Sequence, residues 1–205
     1  MTDITLYGVG YTRSARCRWT LLELGVPFNY VDNGKLIGTE EQKTRQPLGK
    51  LPALIIDDVA LFESAAICTY LCDRFDSTRG LSSEPGSWAR AQHEQWTSFT
   101  LTELEAFLWH NLKHTSLYPE DKRVAQVIEP NNREALLALA VLSEHLDQHA
   151  YLVDDTFSVS DIIGGWTINW ARRLGLTDDY EPLKAIRPRS LYLQPGITRV
   201  LRSPS

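Results

Sequence analysis

The sequence is poor in cysteine, has no long apolar run and carries no block of basic charge. Its 205 residues include three cysteines, Cys17, Cys68 and Cys72, too few and too unevenly spaced for a disulfide framework. No C-x-x-C pair occurs, which excludes a zinc ribbon and a dithiol redox centre. Cys68 and Cys72 stand one helical turn apart, a spacing that packing alone explains, since free cysteine behaves as a small buried hydrophobe. No stretch of about 18 apolar residues is present, so no membrane-spanning helix and no membrane partner are expected. The opening Met-Thr-Asp-Ile-Thr-Leu-Tyr has no basic region followed by an apolar stretch, and the expectation is a cytoplasmic protein without a signal peptide. A net charge of -5 with no Lys/Arg cluster argues against nucleic acid as the main partner. What remains is ordinary globular composition, 43% hydrophobic and 23% charged, with six Trp and eight Tyr available for aromatic walls in a core or a cleft.

The two halves follow different patterns. Residues 4–7 read as a short strand broken by Gly8 and Gly10, and residues 14–24 as a helix with Cys17, Leu21 and Leu24 on one side and Arg16 on another face. Gly25 sits where a helix end wants a left-handed residue, with Pro27 just beyond. Residues 28–31 alternate as a second strand, and residues 34–46 are polar and irregular, with a helical turn expected around residues 39–45. Ala53-Leu-Ile-Ile56 and Ala60-Leu-Phe62 flank Asp57-Asp58-Val59 as a tight hairpin, after which Ser64 opens a helix. The order is βαβ followed by ββα. Residues 79–86 have linker chemistry, and beyond them only helical periodicity is found: 88–115 as one long pattern, 131–150 as another, an apolar run after residue 158, and shorter pieces from Pro182 and Pro195. The expected fold is α/β plus all-α, with a small α/β domain over residues 1–78, a linker over 79–86, and an all-helical domain over 87–205.

Several residue groups could carry chemistry. Gly8-Val-Gly10 with Asp32 imitates a dinucleotide fingerprint, but Arg13 stands where that turn needs a small residue, and a hairpin replaces the further parallel units. Tyr11, Thr12 and Ser14 form a hydroxyl cluster at a helix start, where free N–H groups and the helix dipole favour an anion such as a thiolate or carboxylate. Arg13 and Arg16 add positive charge there, although arginines so placed are usually solvated. Leu51-Pro52 precedes a strand; a cis bond there would leave the Leu51 backbone open to an extended, peptide-like ligand. Glu63-Ser64 at the next helix start reads as a cap or, facing the same cleft, as a site for an amino-acid head group: carboxylate for its ammonium, N–H groups for its carboxylate. His110/His114 and His145/His149 are spaced one turn apart, but neither pair belongs to a metal-binding motif, so no metal is expected.

Together these segments resemble the cytosolic glutathione transferases over nearly the whole chain. The run P-L-G-K-L-P-A-L (residues 47–54) followed by F-E-S-A-A-I-C-T-Y-L (62–71) is similar to that family's glutathione-site signature. L-E-L-G-V-P-F (22–28) resembles the end of its first helix, and F-S-V-S-D-I (157–162) its capping-box motif in the helical domain, where Ser158 and Asp161 bond reciprocally. The resemblance implies an N-terminal thioredoxin-like domain, a C-terminal helical bundle forming the electrophile-side wall, and a homodimer. It also implies no tightly bound cofactor, with glutathione as co-substrate and a small hydrophobic electrophile as its partner. Leu51, beside a cis Pro52, would pair its backbone with the cysteinyl part of glutathione; Glu63 and Ser64 would hold the γ-glutamyl end, with Lys50 near the tripeptide backbone. The catalytic hydroxyl falls on Tyr11, Thr12 or Ser14, a bacterial-type hydroxyl arrangement rather than the cysteine one, with Cys17 packed. Trp109, His110 and Tyr118 would line the electrophile site. The implied activity is conjugation, in a detoxification role, with peroxidase, isomerase or dehalogenase chemistry open to the same thiolate. The alternative is a non-catalytic binding or regulatory module of the same fold. Ile186-Arg-Pro-Arg-Ser190 departs from the family's pattern.

Overall fold

The computed structural model describes residues 2–10, 12–76 and 80–185. Two compact units form, dividing between Ser82 and Ser83.

The first unit is built on a four-stranded sheet of order β2-β1-β3-β4: β1 (Ile4–Gly8), β2 (Asn29–Asp32), β3 (Ala53–Ile56) and β4 (Val59–Phe62). β1 runs parallel to β2 and antiparallel to β3, and β3 is antiparallel to β4. The parallel pair needs a crossover, which helix α1 (Ser14–Leu24) supplies. Gly25 closes that helix at φ +69°, and its N–H reaches the Leu21 and Leu22 carbonyls. Only a residue without Cβ holds that left-handed angle without strain. Asp57 and Asp58, both at positive φ (48° and 65°), form the two-residue hairpin turn that matches strand twist. A short helix α2 (Glu40–Lys43) interrupts the polar segment after β2, and α3 (Ser64–Phe75) follows β4. α1 packs on α3 through Cys17, Leu21, Ile67, Cys68, Leu71 and Cys72, all fully buried or nearly so.

The second unit is helical: α4 (Trp88–Phe99), α5 (Ala106–Leu112), α6 (Ile128–Gln148), α7 (Val159–Arg173) and α8 (Glu181–Ala185). The expected single helix over 88–115 is instead interrupted by two π turns, Thr100–Glu105 and Lys113–Leu117. An extra residue in a helical turn leaves the apolar pattern nearly intact, which is why periodicity alone does not mark it. Leu104, Leu108, Ala135, Leu139, Leu142 and Ile168 form the centre of the core. Two polar staples cross it. His93 is buried with Nδ1 2.9 Å from Ser160 Oγ and Nε2 3.2 Å from Ser83 Oγ, and burial holds its imidazole below the ordinary value. Thr167 Oγ1 donates to buried Glu105 at 2.8 Å. At the start of α7 both the N–H and the hydroxyl of Ser158 donate to the Asp161 carboxylate, at 2.9 and 2.7 Å. Among the described residues no helix is long and apolar enough to cross a membrane. The pieces expected around Pro195 lie outside the described residues.

Candidate functional site

Sheet register brings three chain segments to one edge. Tyr7 pairs with Ala53, and Ala53 with Phe62. The loop leaving β1, the turn entering β3 and the start of α3 after β4 therefore emerge together at one end of three adjacent strands. These segments carry Thr12 and Ser14, Lys50-Leu51-Pro52, and Glu63-Ser64.

The turn before β3 is held by two glutamines in the segment read from sequence as polar and irregular. Buried Gln46 accepts from the Leu48 and Lys50 N–H groups at 2.7 and 2.9 Å, and buried Gln42 donates to the Lys50 carbonyl at 2.8 Å. Their amides tie both backbone groups of Lys50 and aim the chain into a cis Leu51–Pro52 bond. Among the described residues the Leu51 N–H and C=O have no hydrogen-bond partner. That leaves one residue's worth of strand edge for an added peptide. The Lys50 side chain is exposed.

At α3, the cap is Glu63 rather than Ser64, which is the first helical residue. Glu63 takes φ +67° and ψ +114°, and its carboxylate makes no capping bond to its own helix. It stays exposed beside the orphan N–H groups of the first turn. Ser64 is buried and held from beneath: Arg16 Nη1 donates to its Oγ at 3.4 Å, and Cys17 Sγ donates to its carbonyl at 3.6 Å. The expectation of a solvated Arg16 is therefore corrected, for its side chain is fully buried between α1 and α3. A basic residue one turn into an amphipathic helix looks exposed by composition; its inward role depends on a partner 48 residues away. Burial pushes the Cys17 thiol well above its ordinary value, as expected of a packed cysteine rather than a nucleophile.

The hydroxyl cluster separates by depth. Thr12 is half-buried; its Oγ1 donates to the Val9 carbonyl at 2.8 Å and lies 2.8 Å from Ser14 Oγ. Ser14 is fully buried. A Cβ added at Gly8 would lie 2.6 Å from Ser14 Cβ and 2.9 Å from both Ser14 Oγ and the Tyr30 ring. Gly8 is therefore the residue that admits Ser14 into the wall, and Gly8→Ala is expected to destabilise the protein by about 1–3 kcal/mol through overpacking. Thermal or urea unfolding checks this, and an unchanged midpoint would show that the clash relaxes freely. Tyr11 lies outside the described residues.

The residues expected on the electrophile side belong to the second unit. Trp109 is half-buried and His110 exposed on α5; Tyr118 is exposed, edge-on to His114 with ring centroids 5.2 Å apart. His145 and His149 stack at 4.6 Å, and among the described residues no group of three His, Cys, Asp or Glu side chains converges as a metal site would require.

A β2-β1-β3-β4 sheet crossed by α1, with a cis-proline turn entering β3 and an all-helical unit following, is the two-domain architecture of thioredoxin-like transferases. Residues 6–79 match the family model of the glutathione S-transferase N-terminal domain. Glutathione S-transferase F10 of Arabidopsis thaliana is 29% identical over 172 residues, 78% of this chain and 76% of that protein. The crystal structure of glutathione transferase URE2P6 from Phanerochaete chrysosporium, in complex with oxidized glutathione, gives a TM-score of 0.80 at 25% identity, covering 97% of this chain and 94% of that one. Elongation factor 1-gamma of Danio rerio is 35% identical over 129 residues, 60% of this chain but 26% of that protein. Residues 6–79 thus form a glutathione S-transferase N-terminal domain, and the chain as a whole is similar to cytosolic glutathione S-transferases.

Proposed function

We propose that the protein is a glutathione transferase that binds glutathione along the Leu51 and Glu63 edge of its sheet, lowers the pKa of the thiol, and directs the thiolate at a small hydrophobic electrophile. The observation that carries this reading is the convergence at one end of three adjacent strands of two groups without a hydrogen-bond partner among the described residues, the Leu51 backbone and the Glu63 carboxylate, with the half-buried Thr12 hydroxyl, which is held by Val9 and Ser14. In this reading the Leu51 N–H and C=O pair with the cysteinyl backbone. Glu63 takes the γ-glutamyl ammonium, and Ser64 with the first-turn N–H groups takes its carboxylate. The exposed Lys50 side chain lies near the tripeptide. Of the described hydroxyls, Thr12 donates to the sulfur. Trp109, His110 and Tyr118 form the electrophile wall in this reading, and a homodimer is part of it.

The energetics are within reach of these groups. A cysteine-like thiol with pKa near ~8.5 is only about 3% thiolate at pH 7, whereas one at ~6.5 is roughly three-quarters thiolate. The difference is about 2.7 kcal/mol. One hydrogen bond to an ionised acceptor contributes ~1.5–3 kcal/mol, and a helix terminus ~0.3–1.

A second reading, a non-catalytic module of the same fold, is favoured by the match of 129 residues to a protein named as an elongation factor rather than a transferase. Retention on immobilised glutathione together with turnover of an activated chloroarene separates the two. Retention with turnover is the expected result. Retention without turnover selects the module, and loss of both removes the glutathione site itself.

A further inference from the structure

Ser14 is too deep to meet a ligand, yet its hydroxyl is within hydrogen-bond distance of the one described hydroxyl that is not. Thr12 Oγ1 has one proton and two acceptor sites. Its proton goes to the Val9 carbonyl at 2.8 Å, so the 2.8 Å contact with Ser14 Oγ is donated by Ser14. The Ser14 N–H approaches the same oxygen at 3.4 Å. Both acceptor sites of Thr12 thus face donors from Ser14. Reversing the Ser14–Thr12 bond would strand the Ser14 proton, because among the described residues its hydroxyl has no other partner and it is fully buried. The direction of the chain, Ser14 to Thr12 and outward, is fixed by burial.

The Val9 carbonyl also has a second donor, the Thr12 N–H at 3.1 Å. Turning the Thr12 proton away from Val9 therefore leaves that carbonyl satisfied. Only a proton, not a lone pair, is left to offer a bound sulfur, and a donor polarised by a bond received from behind is a stronger donor.

We propose that Ser14 is a positioning residue of the transferase reaction: its buried hydroxyl donates to Thr12 Oγ1, holding Thr12 as an obligate donor to the glutathione thiolate. Nothing leaves or enters this relay; one proton turns from the Val9 carbonyl to sulfur while Ser14 keeps its own. The inference rests on the proposed glutathione-activating function and deepens it.

The test is an ultraviolet titration of bound glutathione, following thiolate absorbance against pH in wild type, Ser14→Ala, Thr12→Val and the double variant. Ser14→Ala is expected to raise the bound thiol's pKa by about half to one unit, smaller than the effect of Thr12→Val. It should lower kcat near neutral pH by a few-fold while leaving KM for glutathione unchanged. In the Thr12→Val background Ser14→Ala should add nothing. Ser14→Cys, which keeps a weaker donor in similar space, should fall between wild type and Ser14→Ala, and it carries the test where the alanine variant does not fold. An unchanged thiol pKa in Ser14→Ala overturns the relay while the transferase reading stands. Additive shifts in the double variant overturn it too, since Ser14 would then act on sulfur without Thr12. A wild type with no depressed thiol pKa overturns both.

Discussion

Thr12→Val is expected to raise the pKa of bound glutathione by one to two units, at about 1.5–3 kcal/mol for one hydrogen bond to an ionised sulfur. The substitution keeps the branched shape and removes only the polar atom. Its kinetic consequence depends on pH in a way that separates activation from damage. For a two-unit shift, from ~6.5 to ~8.5, the thiolate fraction at pH 7 falls from roughly three-quarters to about 3%, near twenty-five-fold. At pH 9 the same shift removes only about a quarter of the thiolate. Turnover of an activated electrophile should therefore collapse at neutral pH and recover almost fully in alkali. A loss that is equal at pH 7 and pH 9 would mean that Thr12 supports the fold or the binding site rather than the sulfur. A normal titration in Thr12→Val, with the depressed pKa abolished instead by Tyr11→Phe, would move the donor one residue back along the chain.

The residues that could be read in advance are those whose roles are local. Gly25 marks the end of α1 because its own φ of +69° requires a residue without Cβ, and Asp57-Asp58 marks the hairpin because both positions sit at positive φ. Ser158 and Asp161 are three apart and bond to each other, so their pairing is written in the spacing. The run from Pro47 to Leu71 is legible for a different reason: it resembles a family's signature, and the family brings its fold with it. What stays hidden depends on which neighbours the folded chain places against each side chain. Arg16 carries the surface character of any helical arginine until α3 is laid against α1 and Ser64 arrives beneath it. Gln42 and Gln46 looked like loop polarity, and only the folded turn shows their amides satisfying the backbone of Leu48 and Lys50. Ser14 and Thr12, two residues apart, looked interchangeable as hydroxyls; the bare Gly8 backbone across from them decides which is wall and which is surface. The π turns of the helical unit shift the helix by one residue without breaking its apolar stripe, so periodicity passes over them.

Glu63→Gly is expected to stabilise the protein and disable it at once. Glu63 holds φ +67° and ψ +114°, a conformation that a residue with a Cβ adopts only under strain, of order 1–3 kcal/mol. Glycine takes that angle freely, at a loss of about 0.5–1 kcal/mol from its greater freedom in the unfolded chain. The net gain of about 1 kcal/mol corresponds to a rise in Tm of roughly 2–4 °C for a chain of this size. The carboxylate makes no bond to its own helix, so its removal leaves no folded-state partner behind. In the proposed site it receives the ammonium of the γ-glutamyl group, an interaction of about 1.5–3 kcal/mol, and its absence should weaken glutathione binding roughly ten- to a hundredfold. Calorimetric unfolding and titration of glutathione into the same preparation measure both quantities. Strain retained by an exposed acid that serves no ligand has no compensation in the fold. A variant that is more stable and binds glutathione as tightly as wild type would therefore sink the assignment of Glu63. A variant that is less stable would instead show that the carboxylate anchors the turn between β4 and α3, and that its odd backbone angle belongs to structure rather than to binding.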